Sequence, residues 1–340
     1  MTVLQVKYNP MIPVTKSYLP PLEEYLPYLE QIWASNLLTN NGPLVRELES
    51  RLKEYLGVKH LFFVSNGTIA LQLAIRALGL QGEVLTTPFS YVATASSIVW
   101  EGCQPVFVDI DPHTLCLDPD KIEAAITPRT TGILATHVYG IPCDVDRIAV
   151  LAEKHHLQVL YDAAHTFGGR YKGRAIAWYG EAAALSFHAT KLFHTAEGGA
   201  VITGSDELAQ RISYMRNFGH KGQEDFWGLG INGKNSELHA AMGLCNLPHV
   251  EEILAARKQV SGWYDALLPS SGLARPHVPQ GTTYNYAYYP VVFSSEERLL
   301  AAKAALNQED IFPRRYFYPH LNHLPYIHQN GMTIGEDIAS

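Results

Sequence analysis

Two polar clusters, each directly after a run of apolar residues, contain the side chains best suited to chemistry. Tyr161–His165 (YDAAH) forms the first and Ser186–Lys191 (SFHATK) forms the second. In an open α/β sheet, ligands bind beyond the carboxyl ends of the strands, so Asp162 and Ser186 are expected to face one pocket. An isolated lysine is ordinarily a solvated surface charge. Lys191 lies among apolar and aromatic residues, which disfavour its charged form and make its amine a usable nucleophile.

A third cluster, Asn66-Gly67-Thr68, ends a predicted strand and opens a predicted helix. Free backbone N–H groups and the helix dipole make such a position a binding site for phosphate. Gly67 lets the backbone approach an anion closely, and Thr68 can donate its hydroxyl. Taken alone, the same residues also fit an ordinary helix N-cap.

The elements that must position these clusters alternate along the first two hundred residues. Short apolar runs predict strands, and the stretches between them predict helices at Thr68–Leu78, Val92–Trp100, Asp118–Ile126 and Val145–His156. This alternation indicates an α/β fold with a mostly parallel sheet covered by helices on both faces. The last two runs are joined by a loop rather than a helix, so the sheet is expected to be mixed. The predicted strands are Leu61–Ser65, Val84–Thr86, Val106–Asp109, Ile133–Thr136, Val159–Asp162, Ala183–Phe187 and Ala200–Thr203.

The pattern changes after Gly230, and a smaller α+β domain is expected to begin near residue 247. Residues 1–246, including an N-terminal segment, are assigned to the large domain and residues 247–340 to the small one. The final eight residues, TIGEDIAS, end without an evident helix or strand, so the small domain is expected to be truncated. The predicted elements of this region are helices at Ser236–Leu247, Val250–Leu268 and Glu296–Leu306 and strands at Tyr284–Phe293 and Ile311–Pro313.

Composition narrows the function classes. The chain has 340 residues, 47% of them hydrophobic and 17% charged, with a formal net charge of −7. That balance supports a large core and argues against a nucleic-acid surface, which would show clustered Lys and Arg. No segment approaches the ~20 apolar residues that span a bilayer, and the N-terminus does not resemble a signal peptide. Four well-separated cysteines are typical of reduced thiols, so a cytoplasmic enzyme is expected.

A metal site is not expected. His320 and His323 are three residues apart, but no cluster of Cys, Asp or Glu accompanies them. Metal sites in proteins draw several such ligands together.

A series of segments, in order from about Leu38 to the end, resembles the DegT/DnrJ/EryC1/StrS family of pyridoxal-phosphate sugar aminotransferases. The resemblance implies a fold-type-I enzyme with pyridoxal 5′-phosphate as cofactor, acting on nucleotide-linked keto-sugars. Several motifs in order are more specific than any one alone. The segments are SNGTIALQLA, TPFSYVATA, YDAAH, SFHATK, EGGAV, RNFGH, GINGKNSELHAA and RRYFYP.

The resemblance also implies roles around the cofactor ring. Lys191 matches the family's Schiff-base lysine, which also shuttles a proton, and Asp162 matches the carboxylate that keeps the ring nitrogen protonated. His165 matches a Gln or His that hydrogen-bonds to the ring hydroxyl; a structural turn histidine is the alternative. Ala164 is small where the ring lies against backbone, and Tyr91 matches the aromatic residue on the opposite ring face.

For the cofactor phosphate, the resemblance implies contacts from Gly67, Thr68 and Ser186. Gly230–Lys234 (GINGK) resembles a segment that reaches the neighbouring subunit's active site, so Asn232 is expected to contact the phosphate of a homodimer partner. The same residues also fit a plain turn before a helix.

Substrate binding is assigned from two further segments. Arg314–Pro319 (RRYFYP) resembles members that aminate C4 of a 6-deoxy-4-keto-hexose on thymidine diphosphate, which implies roles for Arg315, Tyr316 and Tyr318. An aromatic core strand with basic ends is the alternative. Asn40 lies in a TNxGP-like segment that the family places near the substrate entrance.

The expected reaction moves an amino group from glutamate to dTDP-4-keto-6-deoxyglucose, giving dTDP-4-amino-4,6-dideoxyglucose. Three alternatives stay open: a 3-aminating enzyme, a sugar dehydratase of the same family, and a non-catalytic regulatory relative. Dehydratases of the family typically carry His where this chain has Lys191, so the lysine favours transamination.

Overall fold

The computed structural model describes residues 11–268 and 272–328. Its helices are α1 (Leu22–Ser35), α2 (Pro43–Leu56), α3 (Gly67–Ala77), α4 (Val92–Trp100), α5 (Pro119–Ile122), α6 (Val145–His155), α7 (Asp206–Met215), α8 (Glu237–Asn246), α9 (Val250–Leu267), α10 (Glu296–Gln308) and α11 (Pro325–His328). Its strands are β1 (Ile12–Pro13), β2 (His60–Val64), β3 (Glu83–Thr86), β4 (Gln104–Phe107), β5 (Thr130–Thr136), β6 (Gln158–Asp162), β7 (Arg170–Tyr171), β8 (Arg174–Ala175), β9 (Ala182–Ser186), β10 (Gly199–Thr203), β11 (Thr282–Thr283) and β12 (Ile311–Phe312).

Seven strands form the central sheet, in the order β2-β10-β9-β6-β5-β3-β4. Strands β4, β3, β5, β6 and β9 run parallel to one another, whereas β10 is antiparallel to both β9 and β2. The predicted mixed, mostly parallel α/β sheet is confirmed. Because β6 and β9 are adjacent and parallel, their carboxyl ends bring Asp162 and Ser186 to one edge of the sheet.

Helices cover both faces of this sheet. Successive residues of a strand point to opposite faces, so Ile133 of β5 joins one hydrophobic cluster and Leu134 joins the other. Helices α3 and α7 pack on one face, and α2 and α6 pack on the other. Burial on both sides fixes the strand ends rigidly, which suits a site built at those ends.

The region after residue 247 forms little regular sheet. The predicted strand Tyr284–Phe293 is wrong: the structure has the two-residue strand β11 before it and an isolated bridge between Val292 and Ala274. Tyr286 has a φ of 51°, outside the strand region of backbone space. The side chain of Asn285 is fully buried and donates to the backbone carbonyls of His165 and Phe167, so this stretch is a loop docked against residues 165–167.

Two short strand pairings join the region after residue 247 to earlier parts of the chain. Strand β1 pairs in parallel with β12, and β11 pairs antiparallel with β7. The N-terminal segment therefore contacts the region that follows residue 247. The domain boundary at residue 247 stays a prediction, and the truncation predicted from residues 333–340 lies outside the described residues.

Within the described ranges, no helix is long and apolar enough to cross a membrane.

Candidate active site

The carboxylate of Asp162 is buried at the end of β6 and held by two donors. The hydroxyl of Thr94 donates to its Oδ2 at 2.7 Å, and the backbone N–H of Ala164 donates to its Oδ1 at 3.1 Å. Burial raises the pKa of Asp162, while these two hydrogen bonds and the charge of Lys191 lower it. The site therefore holds a desolvated carboxylate whose ionised form depends on its polar neighbours.

Lys191 lies in the loop that joins β9 to β10. Phe187 and Phe193 are fully buried on either side of it, with ring centroids 5.1 Å apart, and they anchor the loop to the core. Burial lowers the pKa of Lys191 to about 8; the charge of Asp162 opposes this shift and that of Arg314 adds to it. A much larger fraction of its amine is therefore neutral near pH 7 than for a solvated lysine.

The start of α3 lies against the end of β9, with little space between them. A Cβ added to Gly67 would lie 2.9 Å from the Cβ of Ser186. One added to Gly199, which pairs with Ser186 across the sheet, would lie 2.7 Å from the nitrogen of Gly67. Only glycine fits at these two close contacts, and they bring the Ser186 hydroxyl beside the N-terminus of α3.

The N-terminus of α3 keeps free donors. The side chain of Asn66 accepts from Ile69 N at 2.8 Å, as an N-cap does. Among residues 11–268 and 272–328, the N–H groups of Gly67 and Thr68 have no hydrogen-bond partner. With the hydroxyl of Ser186 they form a cradle suited to an anion such as phosphate.

His165 is buried beside this site, three residues after Asp162. Its Nδ1 accepts a hydrogen bond of 3.2 Å from the backbone N–H of Tyr139. Burial, with a smaller contribution from the charge of Lys191, holds the pKa of His165 well below its usual value. A cavity of about 10 Å³ is lined by residues that include His165, Lys191, Ala164 and Tyr288, so these side chains face one space.

Tyr91 lies directly before α4, and its backbone carbonyl accepts from Thr94 N. Tyr91 is therefore one helical turn before Thr94, the residue that donates to the buried carboxylate of Asp162. Its side chain is 54% exposed, so the ring is free to stack on a ligand.

An aromatic wall, made of Tyr288, Tyr316 and Phe317 from the part of the chain after residue 247, closes one side of the site. Tyr288 lies 4.7 Å from His165, and Tyr316 lies 5.7 Å from Tyr288, measured between ring centroids. Phe317 is buried and packs edge-on against Phe89 at 5.1 Å. The segment predicted to bind substrate therefore contacts Phe89 directly and His165 through Tyr288.

The two arginines of this segment differ in their surroundings. Arg315 pairs with Glu296 at 2.8 Å and lies over the ring of Tyr318 at 3.6 Å. Arg314 lies over Tyr316 at 5.2 Å and has no carboxylate partner in the part of the chain that the structure describes. Arg314 is thus the more available positive charge beside Lys191, although the sequence pattern pointed to Arg315.

Asn232 lies outside this cluster of side chains. It is exposed, and its backbone bridges to Asn217. The next residue, Gly233, accepts from Ser65 N at 2.9 Å, so the segment runs beside the start of its own α3. Lys234 donates to Asn217 at 2.7 Å, and no hydrogen bond of the Asn232 side chain is found among the described residues.

Asn40 is also exposed, in a turn where it and Asn41 have positive φ angles of 65° and 58°. Glu237 holds this turn in place: its carboxylate accepts from Leu44 N at 2.8 Å and Val45 N at 3.1 Å. The side chain of Glu237 is 1% exposed, so this cap on α2 fixes the chain that carries Asn40.

The residues present fit pyridoxal phosphate. A buried carboxylate, a lysine of lowered pKa and an anion cradle meet at one edge of the sheet, and the cradle exists because Gly67 and Gly199 lack side chains. Sequence reasoning missed Thr94, Tyr139 and Tyr288. Thr94 lies in the TPFSYVATA segment, which could have pointed to it, whereas the other two have no distinguishing sequence signal.

No group of three or more metal-ligating side chains occurs within residues 11–268 and 272–328. His320 and His323 stack on each other at 5.7 Å between ring centroids, and the backbone of Leu321 bonds to Pro88.

The DegT/DnrJ/EryC1/StrS aminotransferase family model matches residues 22–339. A dTDP-4-amino-4,6-dideoxy-D-glucose transaminase of Shigella dysenteriae is 46% identical over 309 residues, which cover 90% of this chain and 84% of that protein. One of the same name from Escherichia coli is 41% identical over 320 residues, covering 92% and 86%. The crystal structure of DesI in the presence of its TDP-sugar product has a TM-score of 0.88 and 34% identity, covering 94% of this chain and 83% of DesI.

Proposed function

The chain belongs to the DegT/DnrJ/EryC1/StrS aminotransferase family, whose members depend on pyridoxal phosphate, and we propose that it moves an amino group from glutamate to a dTDP-linked keto-sugar. The names of the two bacterial relatives support dTDP-4-keto-6-deoxyglucose as the acceptor and dTDP-4-amino-4,6-dideoxyglucose as the product. Lys191, present where dehydratases of the family carry His, supports amino transfer over dehydration.

Pyridoxal phosphate acts as an electron sink when bound, and the protein supplies its binding and orientation. In this proposal the phosphate is held by the N–H groups of Gly67 and Thr68 and by the hydroxyl of Ser186. Asp162 would keep the ring nitrogen protonated, Tyr91 would stack on the ring, and the small side chain of Ala164 would leave room for it. These roles are supported by the anion cradle and the buried carboxylate described above.

Lys191 carries the proton in this proposal. Its Nζ would hold the cofactor and, once released as a neutral amine, would move a proton from the α-carbon of glutamate to the cofactor. A base works best when its pKa lies near the working pH. The lowered pKa of Lys191, about 8, suits both the uptake and the return of a proton.

The sugar binds beside the aromatic wall of Tyr288, Tyr316 and Phe317. Tyr316 and Tyr318 contact the hexose, and Asn40 lies at the entrance. Arg315 binds the diphosphate by exchanging its carboxylate partner Glu296 for it. Amination at C4 requires the reacting atoms to come within about 3–3.5 Å, so the aromatic wall must set the rotation of the sugar. The contacts from Tyr316 to Tyr288, and from Tyr288 to His165, support a sugar position next to the cofactor site.

The active enzyme is a homodimer in this proposal, with Asn232 contacting the partner's cofactor phosphate. The loop before Asn232 exposes several large apolar side chains, and an apolar patch of this kind is typical of a protein interface. The exposed residues are Phe218 at 49%, Phe226 at 64%, Trp227 at 46% and Leu229 at 71%. A cytoplasmic location, expected from the reduced cysteines, stays a prediction.

One observation carries the proposal: Lys191, buried Asp162 and the free N-terminus of α3 meet at the carboxyl edge of one sheet. The test follows the first half of the reaction. The purified protein loaded with pyridoxal phosphate should lose its yellow absorption when glutamate is added, while Lys191→Ala should not. Equal behaviour of the two proteins, or no response to glutamate in the wild type, would contradict the proposal.

A further inference from the structure

His165 is held by the protein from three directions. The backbone N–H of Tyr139 donates to its Nδ1 at 3.2 Å. The side chain of Asn285 donates to its backbone carbonyl at 2.8 Å, and the ring of Tyr288 lies 4.7 Å from its own ring. The imidazole is therefore fixed in position before any ligand binds.

The contact with Tyr139 determines where the ring proton lies. A neutral imidazole has one N–H donor and one acceptor nitrogen, and a backbone N–H can approach only the acceptor. Nδ1 is therefore the acceptor and Nε2 carries the proton. Tyr139 reaches this position with a φ of 56°, a left-handed conformation that aims its amide at the histidine.

Asn285 stabilises the same arrangement from its docked loop. It is fully buried, and its amide donates to the carbonyls of His165 and of Phe167, at 2.8 and 2.9 Å. A Cβ added to Gly140, the neighbour of Tyr139, would lie 2.7 Å from Asn285 Oδ1. One side chain thus packs against both loops that form the Tyr139–His165 contact.

We propose that Tyr139 and Asn285 hold His165 as a neutral imidazole with its proton on Nε2, a permanent hydrogen-bond donor to the oxygen on the cofactor ring. This inference rests on the proposed function for the identity of that oxygen. Among residues 11–268 and 272–328, Nε2 has no hydrogen-bond partner, and the ring lines the cavity that Lys191 also lines. Tyr139 and Asn285 are positioning residues, because they act through His165.

The ionisable groups around the ring support a neutral histidine. Lys191 faces the same cavity. Tyr139 and Tyr288 lie beside the ring and Tyr316 lies beside both of them, and burial raises the pKa of all three phenols. Asp162, three residues earlier, is engaged by Thr94 and Ala164. A charged imidazole would lie beside a lysine without a carboxylate of its own, which is unfavourable in a buried site.

The direct test is ¹⁵N NMR of the full chain labelled at histidine, with the His165 signals identified by their loss in His165→Gln. His137 also accepts a backbone N–H at Nδ1, from Cys143 at 3.0 Å, so this difference spectrum is needed. We expect an unprotonated Nδ1 and a protonated Nε2 from pH 6 to pH 9. A proton on Nδ1, or an imidazolium in that range, would overturn the proposal.

Asn285→Ala tests the positioning role, with Asn246→Ala as matched control. Asn246 is also buried and donates to a histidine carbonyl, that of His194 at 2.9 Å. We expect a mixture of His165 tautomers in the first variant and wild-type His165 signals in the second. Unchanged His165 signals in Asn285→Ala would contradict the positioning role of Asn285. If that variant does not fold, the His165 signals are measured in the milder variant Asn285→Ser, with the same expected and contradicting results.

Cofactor binding tests the role of the donor. His165→Phe, which cannot donate, should weaken equilibrium binding of pyridoxal phosphate roughly tenfold or more, the size expected for a hydrogen bond to a charged oxygen. His165→Gln, which has an amide donor, should weaken it by less than about threefold. Equal losses would contradict the donor role. A wild-type protein that does not bind pyridoxal phosphate would contradict the proposed function, whereas the NMR result would still decide the tautomer.

Discussion

Thr94 Oγ1 lies 2.7 Å from Asp162 Oδ2 and donates a hydrogen bond to it, which joins the first turn of α4 to the end of β6. The hydroxyl of Ser90 lies 2.7 Å from that of Thr94 and 3.0 Å from that of Thr136. This buried network of hydroxyls supports the carboxylate, and Thr94 acts against the effect of burial on the pKa of Asp162.

Thr94→Val should therefore impair catalysis without disturbing the shape of the core. The variant lacks the hydroxyl that donates to Asp162, so the pKa of Asp162 rises further. A hydrogen bond to a charged group of this kind is worth about 1.5–3 kcal/mol. We expect kcat/KM for amino transfer to fall roughly tenfold or more at pH 7. Thr94→Ser keeps the hydroxyl and should retain most of the activity. Similar rates for the two variants would show that the hydrogen bond is not needed.

The amine of Lys191 should react at a lower pH than an ordinary lysine. With a pKa of about 8, roughly a tenth of it is neutral at pH 7, against well under 1% for a solvated lysine. Modification of the cofactor-free protein by trinitrobenzenesulfonate, followed at Lys191 by mass spectrometry, should rise with pH with a midpoint near 8. A midpoint above 10 would contradict the described environment.

Neighbouring charges should shift this midpoint in opposite directions. Arg314→Gln removes a positive charge that lowers the pKa of Lys191, so the midpoint should rise. Asp162→Asn removes a negative charge that raises it, so the midpoint should fall. Arg298→Gln, an exposed change on α10, is the control and should leave the midpoint unchanged. Shifts of the same sign in the first two variants would exclude this electrostatic account.

Glu237 should be important for stability. Glu237→Ala leaves Leu44 N and Val45 N buried without acceptors, at a cost of roughly 1–3 kcal/mol each. We expect the free energy of unfolding, measured in urea, to fall by about 2–6 kcal/mol. Glu207→Ala is the control, because Glu207 is 73% exposed and its pair with Arg211 contributes about 0.5 kcal/mol at most. A loss in Glu237→Ala no larger than in the control would refute the capping role.

Shared active sites predict complementation between two impaired variants. Asn232→Ala and Lys191→Ala should each be weakly active alone. When the two subunits are mixed by refolding, about half of the dimers are hybrids, and each hybrid has one site with both residues intact. Activity should therefore recover to about a quarter of the wild-type value. The absence of recovery would indicate that Asn232 acts within its own subunit.

Much of the sheet and the centre of the site could be predicted from the sequence, because the patterns that indicate them lie within short segments of the chain. Apolar runs such as Val159–Asp162 are typical of buried strands, and the position of a polar residue at the end of such a run indicates a shared edge. Asp162, Ser186 and Gly67 could be identified in this way, and the structure brings their chain positions together.

Other features depend on distant contacts and could not be predicted. Helix α1 contains Pro27, which hides its helical pattern, and it is held by tertiary contacts such as that of Tyr25 with Leu238. The loop at Asn285 looks like a strand because of its aromatic residues, but its conformation is set by the carbonyls of His165 and Phe167. The Tyr139–His165 contact joins residues 26 positions apart through a backbone amide, which leaves no sequence signal.

The most direct test of the central claim is identification of the product. The protein, loaded with pyridoxal phosphate, is incubated with glutamate and dTDP-4-keto-6-deoxyglucose, and the nucleotide sugar is analysed by mass spectrometry and NMR. We predict dTDP-4-amino-4,6-dideoxyglucose, with the new amine at C4 and one equivalent of 2-oxoglutarate formed per sugar. The absence of any aminated sugar would contradict the account, and faster amination of a 3-keto isomer would contradict its assignment of the reacting carbon.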